Sequence, residues 1–343
     1  MEGGNLALEL VTRALPNRRL RAAASLGVLV LLLVSSCGAV VSGGGPAPAI
    51  PRQKINLVAG VVPDETNAAL FIAQERGIFA DHGLHVTIKP IVSTQFAVPQ
   101  LLDGSLDVAA GQLPTWVSAQ ARGLGPFRVL HPGVELGPNV DEIVTLSTSQ
   151  ISNAGQLRGK VIGVNAAAGN GPLLVDNSLA AYSISPAQVT YKVVPYPDMS
   201  AALAAHQVDA TYCTEPWCTE MAQQDGAVPV ADLNEGPVQG MLIGGYTVTT
   251  RWLEKDPRTA AAFIASIDEA TSLADTNLGA VRQTFEASLG VSHEVATVMS
   301  TGIFPPTMVP NQMLQIATLM AQFGELSPNT NLGSLATALT NGK

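Results

Sequence analysis

Three cysteines, five histidines and a charged fraction of 13% across 343 residues leave few kinds of chemistry open. A structural zinc site wants four converging thiolates and imidazoles. Cys213 and Cys218 have no histidine beside them, and His82 and His85 lie far off in sequence, where they read as solvent-facing. No Gly-x-Ser-x-Gly elbow occurs, and the scattered histidines suggest no Ser-His-Asp set, which argues against a hydrolase. Basic residues are the minority, 18 against 27 acidic ones, for a formal charge of −9. A surface of that sign repels the backbone of a nucleic acid. The sequence also lacks any repeat of fixed period. It does have 47% hydrophobic residues, which with so little charge suits buried sheets covered by helices and not a disordered chain.

The amino-terminal region is organised differently from the rest. Arg13, Arg18, Arg19 and Arg21 precede an apolar run over 22–34 and the tetrapeptide Val34-Ser35-Ser36-Cys37. A basic cluster, an apolar stretch and small residues, in that order, predict a secretory signal over 1–36. The run is shorter than the ~20 helical residues needed to span a hydrocarbon core. The tetrapeptide resembles the bacterial lipobox, in which cleavage leaves the cysteine as a lipid-bearing amino terminus. That implies acyl chains on Cys37 and anchorage at the outer face of the cell membrane. Residues 37–52, with three consecutive glycines and several prolines, hold too few large apolar side chains to form a core and read as a flexible tether. Loss of 1–36 removes four arginines and two glutamates, taking the formal charge to −11.

From residue 53 onward the chain exceeds what one compact core usually holds, favouring two lobes. Apolar runs predict strands over 55–62, 86–91, 108–110 and 127–131, alternating with helical patterns over 67–76, 96–102 and 115–122. A second series places strands over 161–164, 189–194 and 210–212, with helices over 171–182, 200–206 and 217–224. Strands separated by helices make parallel βαβ units. Residues 244–250 are β-like. Beyond them the pattern is almost wholly helical over 257–323, with Pro257 in a first turn and Ser292 as a cap. The tail from Ser327 reads as polar and loosely held.

Several blocks then resemble one family. Residues 67–79 (Asn-Ala-Ala-Leu-Phe-Ile-Ala-Gln-Glu-Arg-Gly-Ile-Phe), 101–109 (Leu-Leu-Asp-Gly-Ser-Leu-Asp-Val-Ala), 157–164 (Leu-Arg-Gly-Lys-Val-Ile-Gly-Val), 201–210 and the pair Glu215-Pro216 are similar, in order, to successive signatures of the substrate-binding proteins related to the sulfonate, nitrate and taurine binders and to the thiamine-pyrimidine (NMT1/THI5-like) family. The resemblance implies an α/β fold, a two-lobed periplasmic-binding-protein-like clamp, each lobe a mostly parallel sheet flanked by helices, with a carboxy-terminal helical segment. It implies two crossovers, near 143–148 and 246–250, dividing the chain into lobe 1 (53–146 plus 247–343) and lobe 2 (147–246). It also implies a monomer that delivers a small molecule to an ABC permease and its ATPase, with no cofactor or metal. A sulfonate, a nitrate-like anion, a pyrimidine or another heterocycle are the ligands it suggests.

In open α/β sheets ligands sit beyond the carboxyl ends of strands, which selects the candidate residues. Asp64 and Asn67 follow the first strand; Asn67 could instead cap its helix and Asp64 could be solvated. Gln112 follows the third strand, and Trp116 beside it serves a ligand or the core. Asn165, Gly169 and Asn170 join a strand to a helix where small side chains expose backbone N–H groups, or form a plain connecting loop. Glu215 could accept from an amine or ring nitrogen while Trp217 stacks on an apolar ligand; alternatively the glutamate merely starts a helix. Tyr246 stands at the expected hinge. None of these loops carries Lys or Arg, which leans the ligand towards a neutral or amine-bearing heterocycle. Cys213 and Cys218 could close a disulfide around Glu215 or remain two buried thiols. The rival functions are an enzyme, pyrimidine-synthase-like or otherwise secreted, and a sensory lipoprotein without a transporter.

Overall fold

The computed structural model describes residues 53–309 and 311–340. The signal peptide, Cys37 and the tether lie outside the described residues. Among those described, no helix is long and apolar enough to cross a membrane.

The first lobe is built from β1 (Asn56–Val61), α1 (Ala68–Glu75), α2 (Ile78–Asp81), β2 (His85–Pro90), α3 (Ala97–Asp103), β3 (Val108–Gln112), α4 (Leu113–Ala121) and β4 (Phe127–Pro132). The chain then crosses to β5 (Asp141–Leu146), β6 (Val161–Val164), α5 (Asn170–Ala180), β7 (Thr190–Val193), α6 (Met199–Ala204), β8 (Ala210–Thr214), α7 (Trp217–Asp225) and β9 (Ala227–Asp232). It returns through β10 (Gly244–Thr249) and continues as α8 (Thr250–Lys255), α9 (Pro257–Thr276), α10 (Leu278–Leu289), α11 (His293–Val298), α12 (Gln312–Gln322) and α13 (Leu332–Thr340).

The two sheets have the same plan. Strand order is β2-β1-β3-β10-β4 in one and β7-β6-β8-β5-β9 in the other. In each, three parallel strands are followed by an antiparallel one, β10 or β5, and by an edge strand. The duplication extends to side chains. Asp107, just before β3, accepts from the Val58 amide (2.8 Å) and from Lys54 Nζ (2.6 Å). Asp209, just before β8, accepts from the Val161 amide (2.8 Å) and from Lys160 Nζ (3.3 Å). Each aspartate ties the start of the third strand to the first, which explains why two of the recognised sequence blocks carry Asp at that place.

Two sequence expectations need correction. The crossovers come earlier than 143–148 and 246–250: β5 belongs wholly to the second sheet and β10 wholly to the first, so 141–146 moves to lobe 2 and 244–246 to lobe 1. The chain changes lobes over 133–140 and 233–243, and these segments pair, Leu136 N donating to Met241 O and Ile243 N to Val134 O, both at 2.9 Å. The stretch near 303 joins them, with Ile303 N donating to Glu135 O at 3.0 Å. Gly302 is required there, because a Cβ would fall 2.5 Å from Glu135 O and 2.7 Å from Glu65 Oε1. Nor is the tail loose: α13 packs on α12, α4 and β4, burying Leu335, Ala336 and Leu339.

Ser292 caps α11, its hydroxyl accepting from Val295 N at 3.2 Å, and Pro257 opens α9. The lobe 1 core centres on Trp116, Phe127, Tyr246 and Phe263, and Tyr212 is the largest fully buried side chain of lobe 2.

Candidate functional site

The carboxyl ends of the parallel strands of both sheets meet between the lobes, and the lobes are closed on one another. Glu65 N donates to Glu215 O at 3.1 Å. Asn170 N donates to Gln112 Oε1 at 3.1 Å and Asn170 Nδ2 to Ile243 O at 3.2 Å. Gln95 Nε2 donates to Ala168 O at 2.9 Å. Each joins a lobe 2 loop to lobe 1 or to the crossing that leads into it.

The loop after β1 turns its polar residues inward. Asp64 and Glu65 are fully buried, so Asp64 is not solvated. Its Oδ1 accepts from Thr66 Oγ1 and from Asn67 Nδ2, the latter at 2.9 Å. Asn67 also donates to Val62 O at 2.8 Å and makes no side-chain cap for α1; it staples the loop. Glu65 Oε1 accepts from Gly302 N at 2.8 Å. Gln112 N donates to Thr94 Oγ1 at 3.0 Å, which fixes the end of β3.

From lobe 2, Asn165 and Asn170 are buried at the same closure. Gly169 adopts φ +149, and a Cβ there would lie 2.3 Å from Gln112 Oε1, so glycine is what permits the approach. Glu215 is buried, yet both oxygens already have protein donors: Oε1 takes Thr219 Oγ1 (2.8 Å) and Ser300 N (3.1 Å), and Oε2 takes Thr219 N (3.2 Å). A disulfide joins Cys213 to Cys218 and brackets this loop. Trp217 is partly buried and stacks on Tyr196, centroids 6.0 Å apart and planes 10° from parallel.

Two candidates lie in the lobe 1 core. Trp116 packs on Phe127 at 5.2 Å. Tyr246 pairs within the sheet and packs on Phe263 at 5.9 Å and on His131 at 6.1 Å.

Residues that sequence reasoning passed over complete the site. Asp141, at the start of β5, is fully buried and its Oδ1 accepts from Tyr212 OH at 2.8 Å. Tyr196 follows β7, its hydroxyl lying beside Gln112 and Tyr212 without closing a hydrogen bond of ordinary geometry. Position after a strand was a usable signal for Tyr196; Asp141 begins its strand and carried none.

The electrostatics are one-sided. Burial pushes Asp64 and Asp141 up to about 7, opposed in part by hydrogen bonds from Thr66 to the first and from Tyr212 to the second. Burial raises Glu65 well above the usual range, and neighbouring Asp141, Asp64 and Glu215 add to it. Glu215 is likewise raised to about 7 by burial. In addition, Asp64 Oδ2, Glu65 Oε2, Asp141 Oδ2, Gln112 Nε2, the Tyr196 hydroxyl and the whole Asn165 amide have no hydrogen-bond partner among the described residues. Native interiors rarely leave such groups unpaired, and here they gather at one closure between two lobes.

The model of the NMT1-like family matches residues 51–288. The chain belongs to the NMT1-like family. Among the relatives of this NMT1-like chain, the bicarbonate transport ATP-binding protein CmpC of Synechococcus elongatus is 28% identical over 243 residues, which are 64% of this chain and 35% of that one. This chain therefore spans about a third of that relative's length. The nitrate/nitrite binding protein NrtA of a Nostoc species is 25% identical over 67% of this chain and 56% of its own. A putative thiamine biosynthesis protein of Haemophilus influenzae is 26% identical over 66% and 70%. Among solved structures, the alkanesulfonate-binding protein SsuA of Xanthomonas axonopodis pv. citri, bound to MOPS, superposes with a TM-score of 0.71 at 18% identity, over 83% of this chain and 98% of that one. The ligand-binding component of an ABC-type import system from Staphylococcus aureus, with zinc bound, gives 0.70 at 13%, over 83% and 98%. At such identities these structures share the periplasmic-binding-protein fold with this chain.

Proposed function

We propose that the chain is the solute-binding lipoprotein of an ABC importer, which captures a small molecule between its lobes and hands it to a membrane permease. The observation that carries this reading is the set of buried, unpartnered polar groups held where the strand ends of two like sheets close on each other. Bound solute satisfies those groups and holds the lobes shut; release reopens them about the paired crossings at 133–140 and 233–243. The secretory signal and the lipobox-like Cys37 support a clamp on the outer face of the membrane, tethered by 37–52. Asp64, Asn67, Gln112, Asn165 and Asn170 are the residues we assign to the ligand, with Tyr196 and Trp217 as its aromatic wall. Glu215 acts as a latch between Thr219 and Ser300.

The test is thermal stabilisation of the full chain in detergent against sulfonates, nitrate, pyrimidines, flavins and amines. A ligand at 100 times its Kd adds ~2.7 kcal/mol, which raises the melting temperature by several degrees. A hit that is bound and recovered unchanged supports the clamp. No stabilisation by any compound, alongside turnover of one, replaces it with the enzyme that kinship to a thiamine biosynthesis protein suggests.

A further inference from the structure

We propose that the interlobe site takes a small organic cation, an ammonium or amidinium whose N–H groups donate to the free oxygens of Asp64, Glu65 and Asp141. The assignment rests on reading the closure as a binding site. It departs from the nitrate and alkanesulfonate in the names of related proteins.

Charge comes first. The three carboxyls are fully buried, and the ionisable groups that face them are further acids and phenols: Glu215 and Asp232, with Tyr196 and Tyr212. Glu142, on β5 beside Asp141, adds another acid. The ion pairs among the described residues, Lys54–Asp107, His82–Glu269, His131–Asp268, Lys160–Asp209 and His293–Glu286, all lie elsewhere. An anion placed here would meet buried carboxyls and no fixed cation, which is the arrangement that repels it.

Hydrogen-bonding capacity agrees. The Tyr196 hydroxyl, itself buried, stands among Asp64, Asp141 and Gln112 without a partner. Besides the three carboxylate oxygens, Oδ1 of Asn67, Asn165 and Asn170 also lacks a donor, whereas the free N–H donors are the amides of Gln112 and Asn165 and the indole of Trp217. Acceptors prevail, so the complementary ligand is rich in N–H donors. The Tyr196–Trp217 stack gives such a cation an aromatic face.

A bare metal ion fits less well. No three of these carboxylates bring oxygens within 4.8 Å of one another; the only such group among the described residues is Glu142, Cys213 and Cys218. Its cysteines are joined to each other. Carboxylates spread around the closure match a ligand with several donors, not a single coordination sphere.

The experiment is calorimetric titration of the full chain in detergent at pH 6 and pH 8. The probes are benzamidine, phenethylamine and 1,4-diaminobutane, set against nitrate, ethanesulfonate, benzyl alcohol and zinc chloride. We expect a cation to bind about tenfold more tightly at pH 8, the gain from ionising one carboxyl that titrates near 7. We expect Asp141→Asn to weaken that binding at least tenfold while melting no lower than the parent at pH 8 without ligand, since it removes a buried charge. Asp64→Asn is the second variant, should the first not fold. Binding of nitrate or ethanesulfonate that weakens with rising pH overturns the cation assignment. So does binding of zinc or benzyl alcohol without any amine. Silence from all these probes with a pyrimidine or flavin hit in the thermal panel overturns the cation alone; silence in both removes the clamp itself.

Discussion

Gly169 shows how much one residue governs closure. It holds φ +149, and its missing side chain lets Gln112 Oε1 come within bonding distance of Asn170 N. In Gly169→Ala the new Cβ would sit 2.3 Å from that oxygen, so Gln112 must withdraw and the bond between the lobes is lost. Strain of this kind is about 1–3 kcal/mol, which weakens ligand binding by roughly five- to 150-fold. An alanine at φ +149 is also strained when the lobes are apart, so the variant should lose folding stability as well as closure. Small-angle scattering and calorimetry test this together: the variant should be more extended and bind weakly. A variant that closes and binds like its parent would show that this contact does not govern closure. Glu215 makes the opposite point. Its acidity and its place after a strand drew attention in the sequence, but whether a carboxylate is free depends on distant Ser300, whose amide reaches Oε1 at 3.1 Å. Sequence distance hid that donor.

At the scale of elements, the terminal helix is the sharpest disagreement between pattern and packing. The stretch from Ser327 reads as a polar, loosely held tail, yet Leu339 is fully buried where α13 meets α12, α4 and β4. Leu339→Ala should lower unfolding free energy by about 2–5 kcal/mol, measured by urea titration; a change under ~0.5 kcal/mol would mean that α13 is not part of the folded core. The parallel strands were legible because they are buried runs bounded by turns, and the loops after β1, β3, β6 and β8 followed from strand polarity together with the family resemblance. β9 was not legible. Pro229 interrupts it and is tolerated because β9 is a sheet edge, where a missing N–H need not break a ladder. β5 begins with two acids, Asp141 and Glu142, which give no sign of a buried strand although it lies between β8 and β9. Missing β5 displaced the crossover and hid Asp141 with it. The twofold plan of the sheets was also invisible as a repeat, since it survives in strand order and in the paired Asp107 and Asp209 ties, not in the spacing of residues.

For the whole molecule, the buried acids couple closure to pH. Asp64 and Asp141 rise from 3.8 to about 7 in the closed form, and Glu65 rises in the same direction. Opening rehydrates these groups and returns them towards ordinary values, so the closed form binds protons more tightly than the open one. Its advantage is complete below about pH 4 and is lost as pH rises through about 7. Each tenfold gain in proton affinity on closing is worth about 1.4 kcal/mol and changes the ratio of closed to open molecules tenfold, and several groups gain together. Without ligand, the protein should therefore be compact at pH 5 and progressively more open by pH 8, as read by small-angle scattering. Asp64→Asn and Asp141→Asn should each flatten the profile. A protein that stays equally closed at both pH values, or that tightens as pH rises without ligand, would refute the coupling. A bound cation supplies the countercharge that protons provide in acid, so the same measurement at pH 8 with a saturating amine should return the compact form. An anion should leave it open. Closure by cations alone at pH 8 is the behaviour that an acidic, polar and aromatic cleft without a fixed cation demands.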